Sequence, residues 1–363
     1  MTVVSLIAIA TATATLGQTS SVSYVGTWAT GIDYPARLAP APGGGVYVTD
    51  PPMKNVVSYD GTGAVVATYA VAEKPIGIAV HSDGRVFISR ANGTIGVYSS
   101  AFVFQSAVNP APMAFSSPND LAFDDVAAEL YAVDSGSAKI MVFRETAPNV
   151  WTLNRSWGMV GTGMGNFETP QAIALDTVNG LVLVTDADNF RVQVFDTAGI
   201  LQFKFGYRIL FTTSSETAWF ARGEGIAVDD CGNIYIADAL MGTVRSFSDT
   251  GTELSSTHTP LVGYGTGTGQ LRVPGDMAID AAGTMFIANT NNGAVEVFDV
   301  TCTSGGPSSV GAPTVRDDEL MAKHHRMVSE RFGAVGRRHA VPLAPDNPED
   351  IVAAMVGGEY RDE

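Results

Sequence analysis

Short apolar stretches alternate with turn-forming residues from about residue 24 to residue 300, and the alternation repeats along the chain. An apolar triplet recurs as Ile78-Ala79-Val80, Leu121-Ala122-Phe123, Ile173-Ala174-Leu175, Ile226-Ala227-Val228 and Met277-Ala278-Ile279, with a degenerate first copy at Leu38-Ala39-Pro40. The residues just before the six triplets are 37, 77, 120, 172, 225 and 276, so the spacings are 40, 43, 52, 53 and 51. A second short strand follows each triplet, as in Val86-Phe87-Ile88 and Ile234-Tyr235-Ile236. A third comes next, as in Val192-Gln193-Val194-Phe195 and Val295-Glu296-Val297-Phe298. Turn formers such as Ser82-Asp83-Gly84 and Asp230-Cys231-Gly232-Asn233 separate the first two strands. No useful helical periodicity precedes residue 310. Six short-strand units at this period predict an all-β fold, a six-bladed β-propeller. Five units carry a fourth segment, as at residues 200–206, but the sixth turns polar after Val300. Residues 23–28 are therefore expected to supply the missing outer strand and close the ring, which removes an exposed edge.

Both ends differ from the repeat. Residues 3–16 form an apolar run too short for a membrane span, with small residues at Ala12, Ala14 and Gly17. The expected organisation is a signal peptide over 1–18, a propeller over 19–300 and a charged tail over 301–363. The tail opens on a Gly/Pro/Ser linker at 303–313 and carries His324, His325 and His339. A helix with Leu320, Met321, Met327 and Phe332 on one face is expected within 314–332, and a second short one between Asn347 and Gly357.

Composition narrows the functions. The chain has 363 residues, a formal net charge of -16 and 2 cysteines. That charge argues against nucleic acid and anionic membranes as partners. Two cysteines are too few for a disulfide framework or a cysteine zinc site. Strand order puts the turn holding Cys231 and the chain at Cys302 on the same face of neighbouring blades, so a Cys231–Cys302 disulfide is expected in a secreted chain. Asn92 and Asn154 head N-glycosylation sequons, each expected in a turn or loop.

The phrases of the repeat resemble NHL repeats. Residues 221–238 (ARGEGIAVDDCGNIYIAD) and 170–206 are close matches, as are the glycine-rich linkers at 161–170 and 265–274. The resemblance spans residues 24–300 and implies a propeller without implying one activity. The glycine run at 161–165 lacks the strand–helix context of a dinucleotide loop. NHL propellers that bind RNA do so through a basic face, which this acidic chain lacks.

Candidate chemistry lies where each first strand begins. Arg37, Asn119, Asp120, Gln171, Glu224 and Asp276 fall just before the triplets and are expected to rim one mouth of the central channel. Call that face the top. This acidic arc is a candidate site for a ligand or for Ca²⁺ or Mg²⁺, with Arg37 as a competing internal cation. Asp50, Asp134, Asp186 and Asp238 end second strands, with Arg90 and Asn289 at the other two, and are expected to serve turns. Peptide-amidating lyases resemble such propellers but need zinc histidines at positions that here hold none. Glu224 in Gly-Glu-Gly and Asn119 after Pro118 resemble metal ligands of gluconolactonase-type propellers, with Asp276 one residue out of register. The leading expectation is a secreted, monomeric, non-enzymatic scaffold binding a protein or small molecule at the top. The alternative is a divalent-metal-dependent hydrolase.

Overall fold

The computed structural model describes residues 19–206, 220–254 and 262–303. Six antiparallel sheets form six blades, and their first strands contact one another in a closed ring around a channel. Blade 1 runs outward through Leu38–Pro40, Val46–Asp50, Asn55–Tyr59 and Val65–Ala70. Blade 2 comprises Pro75–Val80, Val86–Arg90, Thr94–Tyr98 and Phe104–Ala107. Blade 3 comprises Pro118–Asp124, Glu129–Asp134, Lys139–Ala147 and Val150–Trp157. Blade 4 comprises Pro170–Asp176, Leu181–Asp186, Arg191–Asp196 and Leu201–Phe205. Blade 5 has Gly223–Val228, Ile234–Asp238 and Thr243–Phe247, with bridges to Glu253 and Val262 along its outer edge. Blade 6 has Pro274–Ile279, Thr284–Asn289 and Ala294–Thr303.

The ring closes as the repeat count requires. Thr19–Trp28 pairs antiparallel with Ala294–Thr303, with Val22 opposite Val300 and Trp28 opposite Val295. Trp28 also packs on Phe286 at 5.5 Å and on Tyr59 at 5.7 Å, so the closing strand ties blade 6 to blade 1. The sixth blade's free edge is thereby paired within the chain.

Strand patterns follow position in the blade. Second strands are covered on both faces by adjacent blades and read as continuous apolar runs, with Ile234–Asp238 buried throughout. Outer strands face water on one side, and Val65–Ala70 shows exposed and half-buried residues in turn. The core is divided accordingly into six apolar clusters, one at each blade–blade interface. The cluster between blades 2 and 3 packs Phe87 edge-on against Trp151 at 4.9 Å.

Cys231 and Cys302 are joined in a disulfide with Cα atoms 6.2 Å apart, linking the first turn of blade 5 to the third strand of blade 6. The signal peptide expected at 1–18 and the helices expected within 314–332 and after Asn347 lie outside the described residues, as do His324, His325 and His339. Among the described residues no helix is long and apolar enough to cross a membrane.

Candidate functional site

The residues before the triplets do converge, but as a packed plug and not as an open rim. Arg37, Asn119, Asp120, Glu224 and Asp276 are all buried, with exposures of 3, 4, 5, 2 and 4%. The Arg37 guanidinium crosses the channel axis. Its Nη1 donates to Glu224 O at 2.8 Å, Gly275 O at 2.9 Å and Asp276 Oδ1 at 3.4 Å, and its Nη2 to Gln171 O at 3.1 Å. One side chain from blade 1 thus satisfies backbone carbonyls of blades 4, 5 and 6. That is the physical reason the expected mouth is closed.

Two aspartates brace the plug from opposite blades. Asp276 Oδ2 accepts the Leu38 N–H at 3.0 Å, and Asp120 Oδ2 accepts the Ile173 N–H at 2.9 Å. Each therefore pins its own blade to the next one along. Between them the chain needs glycine. A Cβ on Gly77 would stand 2.0 Å from Asn119 O, and one on Gly225 would stand 2.8 Å from the Asp276 Cα. Close approach of neighbouring backbones excludes any side chain at these two positions.

The remaining arc residues turn to separate partners. Asn119 Nδ2 donates to Gln171 O at 3.2 Å and to the Gln171 side chain. Glu224 pairs with Arg222, whose Nη1 also bonds Asp188 Oδ1 at 2.8 Å. Internal donors occupy the carboxyl groups, Arg222 on Glu224, and Arg37 and the Leu38 N–H on Asp276. Arg222 and Asp188 were not singled out in the sequence. A cue existed: Gly223 stands where the other five repeats carry Pro35, Pro75, Pro118, Pro170 and Pro274.

Burial sets the electrostatics. It raises the pKa of Asp120 and Glu224, with Arg37 pulling both down and Arg222 also lowering Glu224. Burial and the nearby Asp120 carboxylate push Asp276 up to about 8. For Arg37 burial works against the charge, but Asp120, Asp276 and Glu224 more than offset it and leave its pKa raised.

The aspartates ending second strands staple the loops leading into the first strands. Asp238 accepts the N–H groups of Ala221 at 2.7 Å and Arg222 at 3.0 Å, and Asp134 accepts those of Ser116 and Ser117. Asn289 repeats the bond with the Arg272 N–H at 2.8 Å. The Asn92 sequon lies in an exposed turn, where Thr94 Oγ1 donates to Asn92 Oδ1 at 2.6 Å. The Asn154 sequon lies in neither turn nor loop. It sits in the outer strand Val150–Trp157, and its Nδ2 donates to Glu129 Oε1 at 3.0 Å.

The open space lies on the other side of the plug. A cavity of about 690 Å³ follows the first strands from Asp120 and Asp276 down to the opposite face. Its mouth there is formed by the turns carrying Gly43, Ser82, Asp125, Thr177 and Ala281. Asp229, Cys231 and Cys302 form the one cluster of potential metal-ligand residues among the described residues, but both sulfurs are spent in the disulfide.

Residues 167–195, in blade 4, match the NHL repeat family model. No curated protein matches the chain. Among solved structures, the chain is similar to a protein of unknown function from Bacteroides thetaiotaomicron VPI-5482, at 20% identity and a TM-score of 0.59 over 78% of this chain and 77% of that one. It is also similar to a gluconolactonase from Xanthomonas campestris, at 16% identity and a TM-score of 0.55 over 76% and 89%. A streptogramin B lyase aligns at 11% identity and a TM-score of 0.51 over 78% and 98%. At these identities the likeness concerns the propeller fold.

Proposed function

We propose that this six-bladed β-propeller, with an NHL repeat in its fourth blade, is a secreted, non-enzymatic scaffold that takes a ligand into its central channel. The observation that carries the reading is the cavity of about 690 Å³, walled by apolar first-strand residues and closed at one end. That volume falls in the range of small-molecule sites. The disulfide supports an oxidising, extracytoplasmic setting, with which the apolar run at residues 3–16 is consistent. The resemblance to gluconolactonase-type propellers keeps a metal-dependent hydrolase as the competing function. For that, Glu224, Asn119 and Asp276 would have to leave Arg222, Gln171 and Arg37.

Fluorescence titration of the full chain with the neutral apolar dye Nile red tests the scaffold reading. Saturable one-to-one enhancement is expected, weakened by Ala281→Trp or Thr177→Trp at exposed mouth positions. Absence of saturable binding refutes it. Lactone turnover that needs Ca²⁺ or Mg²⁺ and disappears in Glu224→Gln would establish the hydrolase instead.

A further inference from the structure

We infer that residues 323–339 of this same chain dock over the open mouth of the channel, with their apolar side chains toward the cavity and their basic ones on the aspartates of the rim. The occupant is part of the chain and not the ligand proposed above, and the two compete for the mouth.

The mouth is an uncovered apolar surface. The cavity wall stays apolar out to its lip, where Phe123, Leu175 and Ile279 are only half-buried. Beside them the turns of blades 3 and 4 hold Val126 at 91% and Val178 at 79% exposure, the two most exposed large apolar residues among those described. Apolar surface gathered at one opening marks a place where something packs.

The chain leaves the propeller at this same end. The Val300 N–H donates to Gly283 O at 2.8 Å, in the turn that carries Ala281 at the mouth. Cys302 is tied to Cys231 in the matching turn of blade 5. Thr303 ends a third strand, which stands about 10 Å outward from the first strand that lines the cavity, at about 4.8 Å per strand. Residues 304–322 separate it from Lys323, and a chain of that length spans roughly 24 Å even when coiled. The mouth is therefore within reach.

Charge selects between two apolar stretches beyond Thr303. Residues 327–335 sit among Lys323, Arg326, Arg331, Arg337 and Arg338, with Glu330 as the single acid. Residues 351–356 sit among Asp346, Glu349, Asp350 and Glu359. The turns around the mouth carry Asp83, Asp125, Asp230 and Asp280, with the Asp83 and Asp125 side chains 43% and 45% exposed. These turns hold no lysine and one arginine, Arg85, which already bonds Asp83 Oδ2 and Glu145 Oε1 at 2.7 Å each. Lys54, Lys74 and Lys139 lie at the opposite, sealed end. The basic stretch is thus drawn to the mouth and the acidic one kept off it. Exposed charges attract weakly one by one, but the connection through residues 304–322 holds the segment at an effective concentration of about 1 mM, so a modest affinity suffices.

The test is carbodiimide cross-linking of the full chain, which joins a lysine amine to a carboxylate without a spacer. Lys323 is the only lysine beyond Lys204, so its links are read unambiguously by peptide mass spectrometry. Lys323 is expected to join Asp125, Asp230 or Asp280, and in a mixture of isotopically labelled and unlabelled chains these links should fall within single chains. Arg326→Glu/Arg331→Glu, which lies outside the propeller, should cut their yield about tenfold, and Phe332→Ser, which removes the largest apolar side chain of the segment, should lower it too. The charge reversal should also tighten Nile red binding about tenfold, as expected of a mouth covered about nine-tenths of the time. Links from Lys323 only to acids beyond Thr303, equal yields at the sealed end, yields unchanged by the charge reversal, or equal Nile red affinity in both chains overturn the inference. Links only between differently labelled chains put the segment on a second copy and overturn it as well. Failure of Nile red to bind either chain refutes the ligand reading alone, because the cross-links do not depend on it.

Discussion

Arg37→Met should be among the most damaging single substitutions in the propeller. The thioether retains an apolar stem, but the guanidinium is lost from the centre of the ring. Three backbone carbonyls, of Gln171, Glu224 and Gly275, and Asp276 Oδ1 lose a donor, and the buried Asp120 carboxylate loses its neighbouring cation. Breaking a buried ion pair from one side costs about 3–5 kcal/mol, and each orphaned buried acceptor adds about 1–3 kcal/mol. Water entering from the cavity would replace some of these bonds, which works against simple addition. We therefore expect a loss of about 4 kcal/mol, corresponding to a drop in Tm of about 10 °C for a domain of this size. Urea unfolding followed by tryptophan fluorescence measures it, since Trp28 and Trp151 report on different blades. The double variant Arg37→Met/Asp120→Asn removes the stranded charge as well and should recover part of the loss. A single variant within about 0.5 kcal/mol of wild type would refute the plug, that being the usual range for an inconsequential surface change. A double variant no better than the single would show that Asp120 is not the charge Arg37 balances.

Asp276 also gives a pH signature. Its folded pKa is raised from 3.8 to about 8, so between those values the native state holds a proton that the unfolded chain releases. Its contribution to stability is full below about pH 4 and is lost as pH rises to about 8; Asp276→Asn should flatten that part of a urea-midpoint profile. Cys231→Ser opens a cross-link of sequence separation 71 and should cost about 4 kcal/mol, matched by adding reductant to the wild type. Expressed in a eukaryotic secretory host, the chain should carry a glycan at Asn92 and none at Asn154, read by peptide mass spectrometry; the Asn154 amide already serves Glu129.

The number of blades, their order and the closing strand were legible in the sequence because each rests on a short-range pattern. A triplet such as Ile226-Ala227-Val228 marks a first strand, and a polar end after the third strand marks a missing partner. The row Arg37, Asn119, Asp120, Gln171, Glu224 and Asp276 was legible for the same reason, since equivalent repeat positions must meet near the axis. What the row does there was not. Whether six side chains form an open mouth or a closed plug depends on distances across the ring between residues up to 239 apart in sequence. One long guanidinium from blade 1 can reach carbonyls of three other blades, and it fills the space a ligand would have used. The pairing of Glu224 with Arg222, and the opening of the cavity on the opposite face, follow from that same packing. Local patterns set which strands form. Only the closed ring decides which end of the channel is sealed, because the seal is built from donors and acceptors that no single repeat contains.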